Sequence, residues 1–407
     1  MSRPADPGLA RRLSKDAYLL CFSAFFADLG YQGVAALFPL YIVLELREKV
    51  FWYGLITGIA FGAGSFFAFV GGLAGDRFDK KYVSIAGNAF IPLMAFSGLT
   101  HQLWLSALLF ILGWWARYFR SPARRALLVN VTAPGERAMA FGVLHALDIA
   151  GGMFSALLVL LLLSLHIPVG IIMLCAAIPL VVSTLILFLV ERVTLYPEET
   201  PMRERGTDGG ASGMSDRALL VSLLIATTLY GFSFYNLGFP ILTGAKGSAT
   251  TSGYELGVLA FVIYLGVSAA SGYVLAVRRS SALRSLWLLG YLPSAIGSGL
   301  IGLSVLLHMN ELGFYLFVAL LGVGMGAVET FEPTLVSSLV GSTTLSRGMG
   351  YLSVSRSIGQ FLSNLIMGVL FSFSQSIPYF YAFASALLAT AVLGVANARY
   401  NRPVHPS

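Results

Sequence analysis

The chain has 407 residues, of which 57% are apolar and only 11% charged. A water-soluble globular protein carries about a quarter charged residues, so that class is excluded and a polytopic membrane protein remains. The formal net charge of +7 would suit nucleic acid, but its distribution along the chain excludes that partner.

Twelve apolar segments follow one another, at roughly 17–45, 52–74, 82–100, 103–124, 138–164, 168–190, 217–243, 253–276, 283–306, 311–338, 347–373 and 377–398. Each reads as one helix crossing a hydrocarbon layer ~30 Å thick. The basic start, MSRPADPGLARRLSKDAYLL, runs into the first segment without a small-residue cleavage site and reads as an uncleaved first span. With the N-terminus in the cytoplasm, all but four of the 26 lysines and arginines fall on that side or at its border. The exceptions are Arg47, Lys49 and Lys246 outside and Arg356 within a span. This positive-inside pattern predicts a multi-pass protein of the cytoplasmic membrane with both termini inside. Cys21 and Cys175 sit in apolar runs and read as ordinary helix residues, neither disulfide partners nor metal ligands.

Residues 192–216, RVTLYPEETPMRERGTDGGASGMSD, form the longest polar stretch and read as a cytoplasmic linker. They divide the chain into 1–191 and 217–407, six spans each. A shift of 201 residues lays Ala17 on Ala218, Pro39 on Pro240, Tyr53 on Tyr254, Gly71 on Gly272 and Arg77 on Arg278. Shared order at constant offset suggests a parallel repeat. The expected architecture is therefore all-α, with twelve transmembrane helices in two pseudo-symmetric six-helix bundles.

The loop between the second and third spans reads GGLAGDRFDKK, residues 71–81. It resembles the signature of the major facilitator superfamily, in which Gly72, Leu73, Ala74, Asp76, Arg77, Lys80 and Lys81 fit. Asp79 stands where that family has glycine, so a tight turn there would fall to a residue less willing to take positive φ. The stretch RSPARRALLVNVTAPGERAMAFG (120–142) is also similar to family members. The resemblance implies a transporter with Asp76 helping to hold the cytoplasmic side closed. Its partners would be Arg120, Arg124 or the helix N-terminus near Arg347, where an anion is favoured. Gly72, Asp76, Arg77, Arg120 and Arg124 are thus expected to form a conformational latch, while Lys80 and Lys81 read as topology signals. The matching loop of the second half, GYVLAVRRSS, has Val277 at the aspartate position, so the latch is one-sided.

Ionisable side chains inside the bilayer cost at least ~2.5 kcal/mol each and ask for a reason. Asp28 lies near the midplane of the first span, ~16 Å deep at 1.5 Å per residue, with Gln32 one turn on. His145 and Asp148 are three apart on the fifth span and share a face, which suits a proton relay or a polar helix contact. Glu329 and Glu332 share a face of the tenth span, where two close carboxylates could hold one proton between them. Arg356 is their natural salt-bridge partner, and Pro333 is expected to kink the helix. Arg117 matches the arginine that the resemblance places in the fourth span of proton-coupled members. Arg120, Arg124 and Arg125 also read as snorkelling to headgroups. The glycine–proline motif of the family's drug–proton antiporters is not matched, since the fifth span has Gly142, Gly151 and Gly152 but no proline.

These residues point to a secondary active transporter of a small solute, coupled to protons and working by alternating access. Acidic and aromatic residues, among them Tyr31, Phe234 and Tyr235, favour efflux of a cationic or amphipathic compound. An organic-anion or divalent-metal carrier and a non-transporting sensor stay open as alternatives. An enzyme is not expected, for want of a nucleophile at suitable spacing. Neither cofactor nor resident metal is expected, and the protein reads as a monomer in the lipid bilayer.

Overall fold

The computed structural model describes residues 13–133, 136–191, 216–233, 237–277, 281–340 and 345–400. The linker at 192–215 and the outermost tails lie outside them. Helix α1 (Lys15–Leu40) starts where Ser14 caps it, accepting from the Ala17 amide at 3.1 Å. Pro39 stands near its end and a π-helical turn, Tyr41–Glu45, continues it. The second span is α2 (Val50–Gly62) and α3 (Gly64–Arg77), joined at Ala63. The third is α4 (Lys80–Phe90), tightened into a 3-10 stretch, Ile91–Leu99, whose Pro92 removes a donor from the helical ladder. Then come α5 (Leu103–Asn130), α6 (Arg137–Ser164) and a sixth span split at Ala176 into α7 (Val169–Cys175) and α8 (Ala177–Leu189).

The second half opens with α9 (Asp216–Gly231) and α10 (Gly238–Gly244), two pieces of one span, and α11 (Thr251–Val277). The ninth span joins α12 (Ala282–Ser285), a π-helical stretch (Leu286–Tyr291) and α13 (Leu292–Leu306). Helices α14 (Glu311–Leu339), α15 (Leu345–Phe371) and α16 (Ile377–Tyr400) complete the chain. Among the described residues, ten of these stretches are long and apolar enough to cross a membrane by themselves. The fourth span falls short because arginines dilute α5. The seventh is described only in two pieces: α9 has 16 residues, and residues 234–236 ahead of α10 lie outside the described ones.

Phe66, Phe69, Leu185 and Phe188 are exposed. Outward-facing rings on spans of this length face lipid, where they cost nothing, because lipid tails are as apolar as they are.

Packing between the halves is uneven along the membrane normal. We call the side bearing Leu13, Arg77, Arg137 and Tyr400 the terminal face. On the opposite face one apolar core joins both halves, including Phe38 and Tyr53 with Phe239 and Phe371. Tyr53 and Phe239 meet at 5.5 Å between ring centroids, and Phe239 and Phe371 at 5.9 Å. The Tyr254 hydroxyl donates to Glu45 across the same junction at 2.8 Å. Toward the terminal face the core divides. Leu20, Leu128 and Leu187 belong to a core of the first half, Leu223, Leu286 and Leu393 to one of the second. Among the described residues, one core thus joins the halves on one face and separate cores serve them on the other, leaving a cleft toward the terminal face.

Helices α2 and α15 cross between the halves, and a Cβ on Gly54 would lie 2.5 Å from the Asn364 carbonyl oxygen. Closer still is α3 against α5, where a Cβ on Gly71 would sit 1.9 Å from the Phe119 carbonyl oxygen. Backbone cannot turn aside as a side chain can. Gly71→Ala is therefore expected to force these helices apart and lower stability by about 1–3 kcal/mol. Thermal unfolding of the purified protein in detergent reads that loss, and an unchanged melting temperature would refute it.

Candidate functional site: charged clusters at the cleft

The terminal-side part of α5 carries Arg117, Arg120 and Arg124, spaced to share one helix face. Asp28 of α1 is buried, and the Tyr31 hydroxyl donates to its Oδ1. Its Oδ2 is buried with no hydrogen-bond partner. Arg117 makes no ion pair among the described residues. Its guanidinium instead lies 4.6 Å from the Tyr31 ring centroid, 5.0 Å from that of Trp114 and 5.7 Å from that of Tyr118. Tyr31 therefore touches both the carboxylate, through its hydroxyl, and the guanidinium, through its ring.

Arg120 and Arg124 do not snorkel outward. Arg120 is 1% exposed and donates to Asn88 Oδ1. Asn88 in turn donates to Ser183 at 3.1 Å and Thr184 at 2.8 Å, tying α4 to α8. Arg124 is buried and stands 3.7 Å from Asp148. A span packed on both sides has no free route to the headgroups, so these arginines find partners inside. Nε of Arg117, Arg120 and Arg124 and Nη1 of Arg124 remain buried without acceptors. His145 is exposed and is not joined to Asp148 by a hydrogen bond or ion pair. Gln32 faces α6, where a Cβ on Gly152 would lie 3.5 Å from its Cγ.

The second half holds a different cluster. Arg356 Nη1 meets Glu329 Oε1 at 2.6 Å, while its Nε and Nη2 donate to Glu332 Oε2 at 2.8 and 2.6 Å. Glu332 is 0% exposed, and its Oε1 accepts from Tyr291 at 2.5 Å and Thr227 at 3.4 Å. The two carboxylates share an arginine. Every oxygen of Glu332 is bonded, which makes it a strut joining α9, the ninth span, α14 and α15. Helix α14 runs on through Pro333 unbroken. The two clusters thus differ in kind: the second is satisfied, whereas the first leaves donors and an acceptor unused.

Around the signature loop, Asp76 and Arg77 are exposed, and Asp76 has no hydrogen bond or ion pair among the described residues. Arg120 and Arg124 point inward and do not reach it in this structure. The Arg347 side chain, Arg278, Phe234, Tyr235 and the linker lie outside the described residues. Gly72 has open surroundings, with Pro122 Cβ at 3.9 Å from an added Cβ; the close approach to α5 is made by Gly71. The turn at Asp79 needs no positive φ: at φ −57° and ψ 119° Asp79 caps α4, accepting from the Lys81 amide at 2.8 Å. Lys81 Nζ donates to the carbonyls of Phe188 at 2.9 Å and Val190 at 2.5 Å. It thereby caps the end of α8 in addition to any topological role.

Residues 20–277, more than half of the chain, match the sequence profile of the Major Facilitator Superfamily. Multidrug resistance protein MdtH of Photorhabdus laumondii is 33% identical over 154 residues, 37% of either chain. MdtH of Proteus mirabilis is 34% identical over 157 residues, again 37% of each. The aligned stretch is therefore well under half the length of these relatives. A POT family transporter in complex with 5-aminolevulinic acid superposes with TM-score 0.74 at 13% identity, over 95% of this chain and 96% of that one. A bacterial homolog of the human lysosomal transporter Spinster, inward-facing and unoccupied, superposes with TM-score 0.64 at 15% identity, over 95% and 97%. At such identities the superpositions speak for the fold alone. By its profile match and its twelve-span fold, this chain is a multi-pass membrane protein belonging to the Major Facilitator Superfamily.

Proposed function

We propose that the protein is a secondary active transporter that exports a small cationic or amphipathic compound across the cytoplasmic membrane in exchange for protons. The carrying observation is Asp28: a buried carboxylate with one oxygen bonded to Tyr31 and the other unused, beside an arginine held on aromatic faces. An ionised carboxylate at that depth asks for a counter-ion or a proton. Asp28 has a candidate for each, and the choice between them is the switch that coupling requires. Local similarity to proteins named for multidrug resistance supports the outward direction.

On this reading 1–191 and 217–407 rock about their shared core, with 192–216 as the cytoplasmic tether. The basic terminal face is cytoplasmic, and the cleft is the inward-facing state. The carrier works as a monomer. A divalent-metal cargo fits less well: among the described residues no three His, Cys, Asp or Glu converge on one point.

Purified protein in liposomes with an internal pH dye tests the proposal. Addition of the lipophilic cation tetraphenylphosphonium, within a panel of cations, anions and amphipaths, is expected to evoke proton movement. Substrate flux without proton movement would overturn the coupling.

A further inference from the structure

We infer that Tyr31, Trp114 and Tyr118 form the binding box for the cationic group of the substrate, and that Arg117 is its resident competitor. The three rings surround one guanidinium at 4.6, 5.0 and 5.7 Å. Aromatic faces attract cations electrostatically, and more strongly where water is excluded. Here the rings are positioned by their own packing: Tyr31 and Trp114 meet edge-on at 5.4 Å, and Phe61 buttresses Trp114 at 4.7 Å. Tyr31 and Trp114 are buried at the back, while Arg117 and Tyr118 are half-exposed at the front. The box therefore opens where the arginine enters it.

An arginine within a span is ordinarily held by a carboxylate. Arg117 has none in this structure, its Nε is without an acceptor, and the unused Oδ2 belongs to Asp28. One rearrangement satisfies both groups: Arg117 leaves the rings and pairs with ionised Asp28. The box is then vacant, aromatic on three sides and open at the front, which selects an organic cation with a weakly hydrated charge. When Asp28 takes a proton its pull on Arg117 ends, and the arginine returns and expels the cation. The box holds one positive charge in either state, so cation and proton exclude each other. The other charged groups around Asp28 are Arg120 and Arg124 of α5 and Asp148 of α6; α8 and α10 bring no charged residue to it. This inference rests on the proton-exchange reading for its cycle but not for its binding site.

Binding of tetraphenylphosphonium to the purified full-length chain in nanodiscs tests it. Arg117→Met removes the competitor and leaves the rings, so the affinity is expected to rise about tenfold, the size of one cation–π contact. Tyr118→Leu is expected to lower it about tenfold. A saturable gain of binding above that of empty nanodiscs does not arise from misfolding, so the arginine variant decides even where the tyrosine variant is unstable. Unchanged or weaker binding in Arg117→Met, or no binding by the unaltered protein, would overturn the box. If the affinities follow the expected pattern but no protons move in liposomes, the box stands and only the coupling falls.

Discussion

Replacing Arg356 with methionine is expected to cost about 3–5 kcal/mol of stability, the range measured when one member of a buried ion pair is removed. The reason is Glu332. Its side chain is fully enclosed, and three of its contacts come from charged or hydroxyl donors at 2.5–2.8 Å. Without the guanidinium, the carboxylate keeps only Tyr291 and the longer Thr227 contact, too little to offset its lost hydration. Thermal unfolding in detergent measures the cost, and a melting temperature within a degree of the parent would refute it. Pairing the change with Glu332→Gln removes the stranded charge and should recover part of the loss. Glu329→Gln is expected to cost less than about 1 kcal/mol, because that side chain is 45% exposed.

Asp28→Asn is expected to abolish substrate-evoked proton movement and, because Arg117 then stays in the aromatic box, to depress substrate exchange between the two membrane faces as well. Asparagine keeps the shape of the side chain and an oxygen to accept from Tyr31, so the local packing survives. What it cannot do is ionise. Arg117 then has no reason to leave the aromatic rings, and no proton is carried through the step that resets the cleft. The check is a proteoliposome pH-dye assay run beside counterflow of labelled substrate. Proton movement surviving the substitution would return Asp28 to a purely structural role.

The spans could be located from the chain because hydropathy is a local property. Segment 311–338 became α14 at Glu311–Leu339 and segment 283–306 the ninth span at Ala282–Leu306, the ends shifting by a residue. The turn at Phe232 and Ser233 that ends α9 was not legible, since segment 217–243 reads as one mostly apolar run. Asp79 was misjudged for a different reason. Glycine at that position suggests positive φ, whereas aspartate substitutes a side-chain cap and needs none.

Among the site residues, cost singled out the charges but could not choose their partners. Glu332 and Arg356 meet as opposite charges on adjacent spans should. Asp148 was paired by spacing with His145, three residues away; the structure puts Arg124 of another helix beside it. Asn88, the partner of Arg120, was passed over, although an amide in an apolar third span is itself a signal. The double contact of Tyr31 also escaped notice, since i to i+3 spacing from Asp28 allows the hydroxyl bond but says nothing of a guanidinium on the ring.

By itself, then, the sequence determined the membrane class, the number and order of spans, the superfamily and the few buried charges, because each follows from local composition or a contiguous motif. Only the tertiary structure decided which charges are satisfied and which are left in want. That depends on contacts between helices far apart in the chain, and a helix face does not reveal its neighbour.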